Sequence, residues 1–127
     1  MMVGTEWLIE ASGCNPAALR DEAVIRSILL SVIEELGLQS VGSVWHKFPG
    51  AGGVTGLVAL TESHLACHTY PEYGTATFNL YCCRTRPEWD WEGVLRKMIS
   101  AERVTVTKID RGEREADLRF EAAGGDI

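Results

Sequence analysis

Between residues 61 and 83 the chain reads TESHLACHTYPEYGTATFNLYCC, which gathers one serine, two histidines and three cysteines within reach of several chemistries. His64, Cys67 and His68 invite a metal site. On a strand, however, His64 and Cys67 fall on opposite faces, and no second half-site with ligand spacing follows. A Ser-His-Asp hydrolase is poorly matched, because no G-x-S-x-G elbow surrounds any serine. Read alone, Glu62-Ser63 is a polar pair at a strand end or turn, and Cys83 is a small hydrophobe suited to a core.

The stretch ESHLACHTYPEYG, residues 62–74, resembles the processing-site motif of the bacterial and archaeal S-adenosylmethionine decarboxylases, usually close to ESHLSIHTWPEYG. The likeness continues on both sides. His46-Lys47-Phe48 and Gly53-Val54-Thr55-Gly56 look like the family's H-x-F followed by G-V-S/T-G. Residues 78–83 look like its cysteine-bearing strand, and RVTVTKIDR at 103–111 like its late strand. Residues 4 to 115 are covered in this way.

The resemblance implies a pyruvoyl-dependent decarboxylase made from a proenzyme. Ser63 would attack the carbonyl of Glu62 and turn the amide into an ester. β-Elimination would then leave a β chain of residues 1–62 and an α chain of 63–127 that begins with a pyruvoyl group. That group would form a Schiff base with the substrate's α-amine. His68 matches the family histidine that transfers a proton during processing, work suited to an imidazole. Thr55 matches the hydroxyl residue that supports processing. Cys83 matches the cysteine that returns a proton to the substrate carbon, and a thiol with a reference pKa of about 8.5 is mostly protonated at neutral pH. Phe48, Leu65 and Glu72 are the implied substrate contacts, an aromatic face for adenine and a carboxylate for ribose hydroxyls.

Several positions depart from the family pattern. A Gly-rich loop, Pro49-Gly50-Ala51-Gly52-Gly53, replaces bulky residues, Tyr70 replaces a tryptophan, and Asn79 replaces an aspartate. Arg84, followed by Thr85 and Arg86, stands where glycine usually follows the cysteine. These departures keep two alternatives open beside S-adenosylmethionine: a pyruvoyl-dependent ornithine or arginine decarboxylase, and a non-catalytic regulatory relative.

The elements that must position these groups follow from local pattern. Residues 4–11 read as a first strand. Asn15 caps a helix with Pro16 at its first position, and apolar residues at helical spacing carry it to Leu36, with Gly37 as the stop. Residues 40–48, 54–60, 63–69, 75–83 and 103–109 read as strands, and 91–100 as a second helix capped by Asp90. Residues 117–121 are expected to pair at an edge and 122–127 to fray. Alternation along 63–69 groups Ser63 with Leu65 and Cys67 and puts His68 on the other face. A processing role for His68 therefore requires a bend or bulge, or a histidine supplied by a partner element. Cys82 points away from the Cys83 face and is read as packing.

Two helices serving several strands predict a single α+β domain, a two-layer sandwich of antiparallel sheet with both helices on one face. Trp7, Trp45, Phe78 and the doubly apolar central strands predict that the other face is buried in a homodimer. The 127 residues, 46% apolar and 24% charged, fit one globular domain. A net charge of −6 argues against a nucleic-acid grip. No basic leader or apolar run of about 18–20 residues is present, so no membrane span is expected. A cytoplasmic location is expected, and the four cysteines show no C-x-x-C pair. No metal, nicotinamide or pyridoxal phosphate is expected.

Overall fold

In a computed structural model, which describes residues 2–113, six antiparallel strands form one sheet in the order β2-β3-β4-β5-β1-β6. The strands are β1 (Met2–Ser12), β2 (Ser40–Lys47), β3 (Val54–Leu60), β4 (Ser63–Tyr70), β5 (Thr75–Cys82) and β6 (Arg103–Glu113). The expected edge pairing at 117–121 and the fraying of 122–127 lie outside the described residues.

Among the described residues, the helical side holds three α-helices rather than two. Asn15 caps α1 (Pro16–Leu19) by accepting from the Ala17 N–H at 2.8 Å. The chain then breaks at Arg20, and Asp21 caps α2 (Glu22–Glu35) through the Ala23 and Val24 N–H groups. The run from 16 to 36 is therefore two helices, because the Asp21 carboxylate, a second capping side chain, competes for the backbone where a single helix needs none. After β5, Asp90 caps α3 (Trp91–Ile99) through the Gly93 N–H.

All three helices cover one face of the sheet, in agreement with the α+β sandwich. Alternate strand residues turn inward beneath them: Trp7, Ile9 and Ala11 from β1, Leu65 and Cys67 from β4, Ala76, Phe78 and Leu80 from β5. Ile25, Ile28, Leu29 and Val32 of α2 and Leu95 and Ile99 of α3 meet them from above. Each such aliphatic side chain contributes about 1.5–3 kcal/mol by leaving water. Thr69, a polar residue buried in this core, has its hydroxyl engaged as both donor and acceptor. Its hydroxyl donates to the Leu19 carbonyl at 2.8 Å and accepts from the Val54 N–H at 2.8 Å, fastening α1 to the β3–β4 ladder.

Among the described residues, no helix lies on the other face. Trp7 and Phe78 belong to the helix-covered core, and Trp45 packs against it beneath Arg26, 4.5 Å from guanidinium carbon to ring centre. They therefore give no support to a buried open face. The side chains that project there with substantial exposure are Leu8, Val44, Leu57 and Ile109.

Candidate active site in two halves

The first half-site gathers at the ends of β2, β3 and β4. Thr55 and His68 are direct cross-strand partners, so the pleat sends both to the open face. Their contact, Thr55 Oγ1 to His68 Nδ1, is 3.1 Å. With Nδ1 engaged, Nε2 is the nitrogen left for proton transfer. These two line a cleft of about 460 Å³ with Phe48, Tyr70, Glu72 and the 49–53 loop. Phe48 is half-exposed and meets the edge of His46 at 4.5 Å between ring centres. Glu72 sits in a 3₁₀ turn, Pro71–Tyr73, that follows β4 directly. The loop takes its path because Gly50 and Gly52 adopt positive φ, 75° and 82°, and a Cβ at Gly53 would come 2.5 Å from the Thr69 carbonyl oxygen.

The second half-site is the turn Thr61-Glu62 and its surroundings. The Cys83 N–H donates to the Glu62 carbonyl at 3.0 Å. Arg84 grips the Glu62 carboxylate as a two-pronged fork, Nε to Oε1 and Nη2 to Oε2, the latter 2.9 Å. This hydrogen-bonded guanidinium holds the carboxyl below the usual carboxylate range, helped by the charges of Arg84 and Arg86. Ser63 lies opposite Cys82, whose thiol pKa is pushed up mainly by burial. Cys82 is buried and Cys83, just past the end of β5, is exposed. Alternation had separated the two cysteines in the same sense.

Leu65 does not join either half. It is 0% exposed, on the helix side of β4 and paired with Leu80 of β5, so it offers no surface to a substrate. Cys67 is likewise in the core, its thiol pushed up to about 12 by burial.

The two halves do not meet within one chain. The β4–β5 ladder runs without a register shift from Ser63–Cys82 to Tyr70–Thr75. His68 is therefore five residues along a regular strand from Ser63, roughly 16 Å, and on the opposite face. The bend or bulge that would reunite them is absent from β4.

A polar network that the sequence reading missed crosses the open face beside this strand. His64 Nε2 contacts Asn79 Oδ1 at 3.2 Å, Asn79 Nδ2 donates to Glu6 Oε2 at 2.6 Å, and Arg111 pairs with Glu6. His64 stacks on Tyr81 at 5.5 Å. The Asn79 amide is the main cause of a lowered Glu6 pKa; burial opposes it and Arg111 adds to it. Alternation places Glu6, His64 and Asn79 on one face, but only strand order makes them neighbours.

The comparisons with known proteins agree with this architecture. Residues 5–112 match the family model described as S-adenosylmethionine decarboxylase. The chain is 32% identical over 118 residues to the S-adenosylmethionine decarboxylase proenzyme of Caldanaerobacter subterraneus, covering 92% of this chain and 94% of that one. It is 36% identical over 120 residues to the proenzyme of the same name from Thermococcus onnurineus, covering 93% and 84%. Its structure superposes on the crystal structure of the adenosylmethionine decarboxylase of Aquifex aeolicus with a TM-score of 0.77 and 25% identity, covering 90% and 94%. The chain belongs to the S-adenosylmethionine decarboxylase family.

Proposed function

We propose that this chain is the precursor of a pyruvoyl-dependent S-adenosylmethionine decarboxylase, which cuts itself between Glu62 and Ser63 and acts as a cytoplasmic homodimer. The observation that carries the reading is the hydrogen bond from the Cys83 N–H to the Glu62 carbonyl. When the Ser63 hydroxyl adds to that carbonyl, negative charge develops on the oxygen that already faces a fixed donor. The carbon–nitrogen bond then breaks to leave an ester, and elimination separates residues 1–62 from 63–127.

His68 and Thr55 enter from the second copy. Two open faces packed about a two-fold axis between the half-sites set the His68–Thr55 pair of each copy against the strand ends of the other, where the Thr61–Glu62 turn leads into Ser63 and Cys83 follows β5. Leu8, Val44, Leu57 and Ile109 supply apolar surface for that contact. Thr55 fixes the His68 ring, and its free Nε2 moves the proton during cleavage.

The residues around the cut fit a pyruvoyl group: Ser63 is its source, and the exposed Cys83 lies beside it. Such a carbonyl accepts the substrate's α-amine and draws electrons as carbon dioxide leaves. Cys83 returns a proton to the α-carbon, Phe48 stacks on the adenine, and Glu72 takes the ribose hydroxyls. The test is carbon dioxide release from carboxyl-labelled S-adenosylmethionine, ornithine and arginine, offered separately to protein whose cleavage is verified by denaturing mass. Release from S-adenosylmethionine is expected. Release from ornithine or arginine in its place would overturn the substrate assignment and direct attention to the 49–53 loop.

A further inference from the structure

A second cavity, of about 380 Å³, opens beside the scissile peptide and is lined by Leu38, Gln39, Thr61, Glu62, Arg84 and Arg86. It is mostly polar, and two of its walls are guanidinium groups. Arg84 is engaged by the Glu62 side chain. Arg86 donates from Nη1 to the Leu36 carbonyl at the end of α2, 3.2 Å. Its Nε is shielded from water and has no hydrogen-bond partner among the described residues. A buried charged donor left unmade is costly, and native proteins rarely keep one without a reason.

The charges around the cut supply that reason. In the uncut chain one carboxylate, the Glu62 side chain, faces two guanidinium groups, and both Arg84 and Arg86 act on it electrostatically. Cleavage changes the count. Base removes the Ser63 α-hydrogen, the Ser63 Cβ–O bond breaks, and its electron pair leaves with the Glu62 acyl group as a new α-carboxylate. Tautomerisation and attack by water then release ammonia and give the pyruvoyl end. Glu62 finishes as a chain terminus with two negative charges, beside two arginines in a cavity it already lines.

We propose that Arg84 and Arg86 form an anion seat that receives the α-carboxylate created at Glu62, holding the new C-terminus of the β chain away from the reacting carbonyl. The proposal rests on cleavage at Glu62–Ser63. Arg84 keeps the side-chain carboxylate in place through the reaction, and Arg86 Nε gains its missing acceptor only once the peptide is cut. Both are positioning residues.

The test compares thermal stability in cut and uncut protein. Arg86→Met is placed in the wild-type chain, which cuts, and in Ser63→Ala, which stays whole. Loss of the bond to Leu36 lowers Tm in both. Loss of the seat lowers it further in the cut form alone, by about 4 °C for a domain of this size. Equal losses in the two backgrounds would overturn the seat while leaving self-cleavage standing. A single uncut wild-type mass would remove the reading beneath it as well. If Arg86→Met does not cut, cut wild-type protein is treated with a carboxypeptidase. Release of Glu62 should be slow at low salt and at least tenfold faster in 1 M sodium chloride, and a salt-independent rate would overturn the proposal.

Discussion

Co-expressing two crippled copies, Ser63→Ala and His68→Ala under different tags, tests the division of the active site between protomers. General-base contact requires about 3 Å, whereas Ser63 and His68 of one chain stand roughly 16 Å apart on opposite faces of β4. Neither variant alone should cut. Random pairing about a two-fold axis gives about half mixed dimers, each with two unequal sites. One site has lost both the hydroxyl and the imidazole. The other combines the intact Ser63 of the His68→Ala copy with the intact His68 of its partner. Half of the His68→Ala chains should therefore cut, about a quarter of all chains, and no Ser63→Ala chain should. Denaturing mass spectrometry of the tagged chains reads these fractions directly. An uncut mixture, or full cutting of His68→Ala on its own, would refute the shared site.

Cys83→Ala keeps the backbone N–H that faces Glu62, so cutting should persist while turnover falls about 10²–10⁴-fold; unchanged turnover would remove the thiol from its role. Leu57→Glu puts a charge at an exposed apolar position of the open face and should convert the dimer to monomer in sedimentation, with the monomer still folded. Leu29→Ala, under the helices, should cost about 2–5 kcal/mol in denaturant unfolding. The folded Glu6 carboxyl lies below its unfolded value of about 4.3, so its stabilisation is complete above that pH and fades as pH falls through the lowered folded value. Asn79→Ala removes the largest cause and should destabilise most at neutral pH and progressively less in acid, whereas a loss equal at all pH values would contradict it.

The strands and their faces were legible because period-two alternation is a local property. It separated Cys82 from Cys83 and Ser63 from His68, and it also grouped Leu65 with Cys67 in what proved to be the core, a warning against reading Leu65 as a substrate contact. The break at Arg20 was not legible. Ala-Ala-Leu-Arg-Asp-Glu is good helix sequence, and the seating of α1 on Thr69, fifty residues away, lies outside any local window. Trp7 and Phe78 misled for a similar reason: their hydrophobicity is local, but which face they occupy depends on where the helices land. The fork from Arg84 to Glu62 spans 22 residues and exists only once β4 and β5 are paired in register.

Strand order gives self-cleavage an unusual physical meaning. A cut before Ser63 assigns β1, β2 and β3 to one piece and β4, β5 and β6 to the other, and in the order β2-β3-β4-β5-β1-β6 the pieces interleave. Three of the five borders, β3–β4, β5–β1 and β1–β6, then join separate polypeptides, and β1 is clasped on both sides by the piece it has left. After such a cut the pieces would stay together, because neither could leave without tearing a sheet. Once unfolded, however, they would have to find each other again in a second-order reaction whose yield depends on dilution. A precursor cut there would carry its folding instructions in one chain, and the mature form would retain the outcome of those instructions without the means to repeat them alone.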